Sequence, residues 1–295
     1  MLVVLGLLAC GAVAGRLRVL PDGTAEALDR FVIVLALPGI VLARVPELTL
    51  DAATLVPIAV AWVQLLVLVG LVLVASRVAG WSRAVTGTLL LCVPLGNTSF
   101  LGFPAVGALL GDEHVGYAIV YDQLGTFLAL ATWGTYVAAR YGTGTTNDAA
   151  GVARRVVRFP PFVALLVALL LRTTGVPEVV DGIAETLGAS LTPLAMVAIG
   201  LRLRLPERAA LGPLVTGLGL RMLLAPALVL VGAAVLGGSG LAWETSALEA
   251  AMPPMVTAGV IAIAAGLDER LATALTGGGI IVAMATLPLV ATFAT

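Results

Sequence analysis

The chain is built largely from apolar segments, most of which are long enough to cross a lipid bilayer. In hydrocarbon every backbone N–H and C=O group needs a partner within the protein, and a segment of this length satisfies its own groups only as an α-helix. Hydrophobic residues make up 60% of the chain and charged residues 11%, which is typical of a membrane protein. The sequence therefore predicts an all-α polytopic membrane protein with ten transmembrane helices, at about residues 1–17, 27–45, 53–75, 84–110, 114–139, 159–176, 183–201, 209–236, 244–266 and 270–293.

The distribution of arginines predicts the orientation of these segments. All sixteen basic residues are arginines, and twelve of them lie in the connections that follow the odd-numbered segments. The connections on the other side carry only Arg44 and Arg172. Because an excess of basic residues marks cytoplasmic loops, we expect both termini to be outside and the loop 141–158 to be cytoplasmic. The protein is predicted to be a multi-pass protein of the cell (plasma or inner) membrane.

The chain divides into two halves of five segments each. The linker begins Y-G-T-G-T-T-N-D-A-A-G, a composition typical of flexible connections. We predict a first five-helix repeat at 1–141, a cytoplasmic linker at 142–158 and a second, inverted five-helix repeat at 159–295, since an odd number of spans per half reverses the second half. Weak internal matches at offsets of 150 to 156 residues favour this division: Pro38 and Pro193, Pro57 and Pro213, Pro104 and Pro254, and Thr132 and Thr286.

Segments four and nine each contain a stretch that is unfavourable for a helix. Residues 94–104 read P-L-G-N-T-S-F-L-G-F-P, and residues 247–259 read A-L-E-A-A-M-P-P-M-V-T-A-G. Proline, glycine and the Asn-Thr-Ser run all disfavour helix interiors. Such breaks occur at membrane depth only where they line a cavity in the protein. We expect helices 4 and 9 to cross at the midplane, with second halves that begin near 97–100 and 253–255 and present free N–H groups to an anion. A purely structural proline kink is the alternative.

Ionisable residues inside the apolar segments are the other candidates for function, because burying a charge in a membrane is costly. Asp122 lies in segment five and Glu249 in segment nine. We interpret both as a coupling site for H⁺ or Na⁺, with a structural hydrogen bond as the alternative. Arg221, in segment eight, is within reach of one of them or is a structural residue. Gln64 and Thr126 are weaker polar candidates.

These motifs resemble the auxin efflux carrier family of membrane transport proteins. The run G-N-T-S-F-L-G-F-P at 96–104 is similar to the G-N-x-G-F-L-G-x-P signature of that family, with Ser99 where glycine is common. Tyr121-Asp122, the stretch 187–203, Ala251-Met252-Pro253 and Thr286-Leu287-Pro288 follow in the family's order. The long hydrophilic loop of plant members is absent from this sequence, so loop regulation of the plant type is not expected.

The resemblance implies a fold shared with bile acid/sodium symporters. It implies a scaffold domain of segments 1, 2, 6 and 7, and a transport domain of segments 3–5 and 8–10 that moves in an elevator-type mechanism. It also implies that substrates are organic anions such as auxin, malate or malonate. The bile acid relatives build sodium sites that include a glutamate of segment nine, which favours Glu249 without choosing the ion. By position, the substrate-binding residues are Asn97, Thr98, Ser99, Pro104, Pro253 and Pro254.

Other classes of protein fit less well. A channel or a transporter-like sensor with the same fold stays open as an alternative. An intramembrane aspartyl protease is disfavoured, because Gly111-Asp112 precedes Tyr121-Asp122 and the two aspartates would lie at different depths. No phosphate loop, zinc spacing or nucleophile motif is found, so we expect no enzyme and no metal. Cys10 and Cys92 form no framework, and His114 is expected to be solvated. We expect no cofactor except H⁺ or Na⁺ as coupling ion, and as partners a small organic anion and membrane lipids but no nucleic acid, with a homodimer left open.

Overall fold

The computed structural model describes residues 2–48, 51–143, 158–202 and 211–295. We number its helices α1 to α13 along the chain. They are α1 (Leu2–Leu17), α2 (Thr24–Phe31, a π turn at Val32–Ala36, and Leu37–Arg44), α3 (Leu55–Ala79), α4 (Arg83–Cys92), α5 (a π turn at Thr98–Gly102, and Phe103–Leu109), α6 (Val115–Val120, Phe127–Ala129 and Thr135–Tyr141, joined by π turns at Tyr121–Thr126 and Leu130–Gly134), α7 (Pro160–Thr174), α8 (Glu178–Ala189), α9 (Leu191–Arg202), α10 (Leu211–Gly219, a π turn at Leu220–Leu224, and Ala225–Leu236), α11 (Leu241–Ala250), α12 (Val256–Ala264) and α13 (Glu269–Ala294).

Local chemistry explains several helix ends. α3 ends at Ala79, and the next residue, Gly80, has a φ of 63°, in the left-handed region that glycine adopts without steric cost. Ser82 caps the start of α4, because its hydroxyl accepts a hydrogen bond from the Val85 N–H at 3.3 Å. Asp268 does the same for α13 by accepting from the Leu271 N–H at 2.9 Å. Each cap satisfies one of the backbone groups that a helix end leaves free.

The described part of the chain is helical, and its one strand-like feature is an isolated bridge between Gly96 and Pro254. Four helical stretches are long and apolar enough to cross a membrane: Ala52–Ala79, Glu178–Arg202, Leu211–Leu236 and Glu269–Ala294. This agrees with the predicted polytopic membrane protein. The count of ten spans and the inverted relation of the halves stay predictions. The predicted linker at 142–158 lies almost entirely outside the described residues.

The helices pack in two groups. The first helix group contains α1, α2, α7, α8 and α9, and the second contains α3 to α6 and α10 to α13. α1 and α9 approach each other closely, because a Cβ atom on Gly11 would lie 2.4 Å from the Val197 carbonyl oxygen, and one on Gly200 would lie 2.3 Å from that of Leu8. A shared apolar core joins the groups, with Leu37 and Met196 on one side and Phe103 and Leu248 on the other.

Candidate functional site

The two chain breaks cross and are hydrogen-bonded to each other. The Asn97 N–H donates to the Pro253 carbonyl at 2.8 Å, and the Met255 N–H donates to the Leu95 carbonyl at 2.9 Å. Each break thereby supplies partners for backbone groups that neither helix satisfies on its own. The prediction that both segments are interrupted and meet at these residues is confirmed. The second halves start at Thr98 and Val256, with Asn97 and Met255 as the preceding residues.

A cavity of about 560 Å³ lies beside this crossing, between the two helix groups. Asn97, Ser99 and Asp122 line it from the crossing and from α6. Its other walls are mainly apolar, and two of its phenylalanines, Phe127 and Phe159, stack with ring centroids 4.1 Å apart. The cavity therefore combines a small polar end with a large apolar body, which is the usual composition of a small-molecule site.

Asn97 provides a free hydrogen-bond donor at the polar end of the cavity. Its side chain is 3% exposed, and its Nδ2 atom has no hydrogen-bond partner among the described residues. Although Asn97 directly precedes the second half-helix, its side chain makes no capping hydrogen bond. A buried amide N–H without a partner is unfavourable by about 1–3 kcal/mol. A ligand oxygen in the cavity would remove this cost.

Two neighbouring side chains donate hydrogen bonds to the Asp122 carboxylate. Its Oδ1 accepts a hydrogen bond from the Thr98 hydroxyl at 2.5 Å, and its Oδ2 accepts one from the Gln123 amide at 2.7 Å. The Thr98 hydroxyl is therefore engaged with the Asp122 carboxylate. Asp122 is 2% exposed, so this polar cluster is buried at the wall of the cavity.

Glu249 lies behind the crossing and does not line the cavity. Its side chain is fully buried, and within the described residues neither carboxylate oxygen has a hydrogen-bond partner. It packs against the backbone of Gly102, where a Cβ atom would lie 2.6 Å from Oε2. A buried carboxylate that accepts no hydrogen bond is stable only when it is neutralised by a proton or a cation.

Arg221 reaches the crossing from α10 but does not pair with either buried carboxylate. Its Nε donates to the Met252 carbonyl at 2.7 Å, its Nη1 to that of Pro94 at 3.1 Å, and its Nη2 to the backbone carbonyl of Glu249 at 3.4 Å. The side chain is 1% exposed. The sequence placed Arg221 near a carboxylate, whereas the structure assigns its donors to three backbone carbonyls.

The predicted proline residues do not share one location. Pro253 and Pro254 form the crossing itself and do not line the cavity. Pro104 faces a second cavity on the other side of α5. The structure therefore brings Asn97, Ser99 and Asp122 together at the cavity, keeps Thr98 beside them through Asp122, and leaves Glu249 and Pro104 away from it.

Gln64 links three elements of the second helix group. The Tyr121 hydroxyl donates to Gln64 Oε1, and Gln64 Nε2 donates to the Ala250 carbonyl at 3.3 Å. All three residues are buried, as is Thr126. Gln64 and Tyr121 thus hold the end of α11 against α3 and α6, which is a structural role beside the site.

Three charged residues of the cavity were not identified from the sequence. Arg202, at the end of α9, is ion-paired with Asp29 and with Glu26, whose Oε1 lies 3.2 Å from Nη2. All three line the cavity from the first helix group. In the sequence, these residues are indicated only by the three-residue spacing that puts Glu26 and Asp29 on one face of a helix. That pattern is common on solvated surfaces.

His114 is buried, so the expectation that it is solvated is wrong. The side chain is 4% exposed, and its Nε2 lies 2.9 Å from Glu244 Oε2. The acidic loop that contains His114 packs against the start of α11, a contact that composition alone does not reveal. No group of three or more His, Cys, Asp or Glu residues arranged to hold a metal is found in the described ranges.

A second cavity of about 530 Å³ lies at the opposite ends of the same helices. Glu26 and Asp29 at the start of α2, and Arg202 at the end of α9, belong to the first cavity. Arg44 at the end of α2 and Leu191 at the start of α9 belong to the second. Arg44 also pairs with Asp112 of the second helix group at 3.4 Å. The boundary between the helix groups thus has an opening at each end.

Comparisons with known proteins agree with one another. The family model described as "Membrane transport protein" matches residues 1–291. An uncharacterized transporter of Methanothermobacter thermautotrophicus is 30% identical over 292 residues, which cover 97% of this chain and 94% of that protein. An uncharacterized transporter of Methanocaldococcus jannaschii is 25% identical over 281 residues, covering 92% of this chain and 90% of that protein.

Proposed function

Because the chain belongs to the membrane transport protein family, which is the auxin efflux carrier family, we propose that it is a secondary transporter of a small organic anion. The substrate would be a carboxylate such as malate, malonate or an auxin-like acid. The observation that carries this proposal is the buried, unpartnered amide of Asn97 at the polar end of the cavity. Two helix N-termini, those of α5 and α12, begin at the same crossing and favour negative charge.

The chemistry of the cavity supports one carboxylate on an apolar body rather than a dicarboxylate. Arg202, the cavity's arginine, is already paired with Glu26 and Asp29. The donors that line the cavity at the crossing are neutral, and the walls carry Phe100, Phe127 and Phe159 among other apolar side chains. A second carboxylate would find threonine hydroxyls but no unpaired basic side chain among the described residues that line the cavity. Within the carboxylates, the auxin-like monoacid is therefore the better fit.

Asp122 and Glu249 are the proposed coupling site for H⁺ or Na⁺. Asp122 lines the cavity close to where the substrate anion would bind, and two negative groups at one place repel each other. Glu249 has no hydrogen-bond donor among the described residues. Binding a proton or a sodium ion at either carboxyl would compensate the substrate's charge. It would thereby link the transport of the ion to the transport of the substrate.

The elevator mechanism rests on the arrangement of the two helix groups. The second group contains the crossing and contacts the first along a boundary with a cavity at each end. Sliding the second group against the first would carry the crossing from one opening to the other. This picture agrees with two inverted repeats at 1–141 and 159–295 in a cell membrane, with both termini outside.

A counterflow experiment in proteoliposomes tests the function. Vesicles loaded with an unlabelled monocarboxylate should accumulate the labelled compound transiently and with saturation, because exchange through one alternating site couples outward and inward movement. The channel or sensor alternative predicts no counterflow and no saturable exchange. A parallel thermal-shift screen of aromatic monocarboxylates against malate and malonate, at several pH values and with or without sodium, identifies the substrate class and the ion.

A further inference from the structure

Arg221 occupies the place where the two first-half helices end. α4 ends at Cys92 and α11 at Ala250, and the last carbonyls of a helix lack partners within it. The Arg221 guanidinium donates to carbonyls of both ends: Pro94 after α4, and Glu249 and Met252 at and after the end of α11. One side chain from a third helix thus satisfies both sides of the crossing.

Gly96 makes room for this guanidinium. A Cβ atom at residue 96 would lie 1.8 Å from Arg221 Nη2 and 2.7 Å from Cζ. The φ angle of Gly96 is not among the positive ones, so its backbone does not require glycine. The requirement is space, and it comes from Arg221. The glycine next to Asn97 and the arginine of α10 therefore form one fitted unit, although they lie 125 positions apart in the sequence.

We propose that Arg221 is a positioning residue and the resident cation of the crossing: it holds the two chain breaks together and so presents Asn97 and the N-termini of α5 and α12 to the anion. The guanidinium suits this role because its planar donors point in fixed directions, whereas a lysine has a single flexible ammonium. Its guanidinium forms no ion pair within the described residues and donates to backbone carbonyls instead, while the buried Glu249 carboxyl is near enough to interact with its charge. The part that concerns the anion rests on the proposed function.

Chemical rescue distinguishes the positioning role of Arg221 from that of a side chain that only fills space. Arg221→Ala leaves a hole lined by three carbonyl oxygens, which matches a free guanidinium ion. We expect Arg221→Ala to bind the carboxylate about ten- to a hundredfold more weakly, since hydrogen bonds to charged groups are at stake. Low millimolar guanidinium should restore much of the affinity and of the melting temperature. Sodium at equal concentration should restore less, because it has no directed donors.

Arg83→Ala is the matched control. The Arg83 guanidinium also donates to backbone carbonyls, including that of Tyr141 at 3.4 Å, but the residue is exposed and begins α4, at the end of that helix opposite to the chain break. Its loss should not change carboxylate affinity, and guanidinium should have no effect on it. An equal rise in affinity or melting temperature of the Arg83→Ala and Arg221→Ala proteins on adding guanidinium would show a non-specific effect and overturn the proposal.

A second variant, Gly96→Ala, keeps the test decisive if Arg221→Ala is unstable, and the double variant adds a further check if Arg221→Ala folds. Gly96→Ala should weaken binding strongly while Arg221 is present, because the added Cβ displaces the guanidinium. In the Arg221→Ala background the same change should cost little, since the clash is gone. Additive losses in the double variant would overturn the fitted-unit proposal. If the wild-type protein binds no carboxylate, the proposed function fails, whereas guanidinium rescue of the melting temperature still decides the role of Arg221.

Discussion

At the scale of single residues, the site is characterised by polar groups that are buried without partners. Asn97 Nδ2 and both oxygens of Glu249 belong to this class within the described residues. Such groups lower stability unless a ligand or ion completes them. Asp122 differs, because Thr98 and Gln123 already satisfy it. Asn97 and Glu249 are therefore the residues of this site that a ligand or an ion would complete, whereas hydrogen bonds already hold the Asp122 carboxylate in place beside the cavity.

Replacing Asn97 by alanine tests the substrate contact. Because a hydrogen bond to a charged group contributes roughly 1.5–3 kcal/mol, Asn97→Ala should weaken carboxylate binding about ten- to a hundredfold without lowering the melting temperature. Thr132→Ala is the control, since its exposed hydroxyl donates only within α6, to the Leu128 carbonyl. Titration calorimetry at several sodium concentrations makes the measurement. An affinity loss that high sodium rescues would assign Asn97 to an ion site instead.

Glu249→Gln tests the coupling site. The amide cannot be ionised, so the change should abolish the dependence of transport on pH or sodium while the protein stays folded. Asp122→Asn is the companion variant, and Glu113→Gln is the control, because the Glu113 side chain is 62% exposed in a loop. Uptake is measured in proteoliposomes with and without an ion gradient. Unchanged coupling in both Glu249→Gln and Asp122→Asn would favour facilitated transport.

At the scale of elements, close backbone approach decides how helices meet. The crossing is a two-bond antiparallel bridge between chain breaks, and the first helix group is joined by the glycines of α1 and α9. Small residues bring helices near enough for dispersion contacts, which replace the hydrophobic effect inside a membrane. The first group should accordingly depend on Gly11 and Gly200 for its packing.

Gly11→Ala should destabilise the protein, whereas Gly6→Ala should not. The added methyl group at residue 11 would meet the Val197 carbonyl oxygen at 2.4 Å, while nothing lies within 4 Å of the corresponding position at residue 6. Overpacking of this kind costs about 1–3 kcal/mol, and alanine is otherwise the better helix former by up to about 1 kcal/mol. Melting temperatures in detergent compare the two variants. Equal stability would contradict the tight packing of α1 against α9.

At the scale of the whole molecule, two helix groups share a boundary with a cavity at each end. The two cavities are of similar size, and Arg44 with Asp112 joins the groups beside the second one. An exposed pair of this kind contributes at most about 1 kcal/mol. The boundary is therefore held mainly by apolar contact, which permits sliding between two arrangements.

Substrate should change the accessibility of the two cavities in opposite directions. In a protein with Cys10 and Cys92 replaced by alanine, Ala108→Cys reports on the second cavity and Thr276→Cys on the first. We expect an impermeant thiol reagent to reach residue 108 from outside intact cells and residue 276 only from inside, with substrate shifting both rates. Labelling of residue 276 from outside alone would refute the proposed orientation.

The sequence alone determined the helical class, the two chain breaks and the family. These depend on apolar length, on proline and glycine, and on short motifs, which act within a few residues. It also identified Asn97 and Asp122, because a polar residue in an apolar segment is conspicuous without any knowledge of contacts.

Only the tertiary structure decided which of these residues meet. Arg221 and the Pro94 carbonyl are 127 positions apart, and the choice of that carbonyl over the Asp122 or Glu249 carboxylate depends on how α10 packs under the crossing. The same holds for Arg202, which packing brings to the cavity with Glu26, and for His114, which packing buries against Glu244. Contacts between distant segments are set by close packing of the whole set of side chains, and no local pattern in the sequence encodes them.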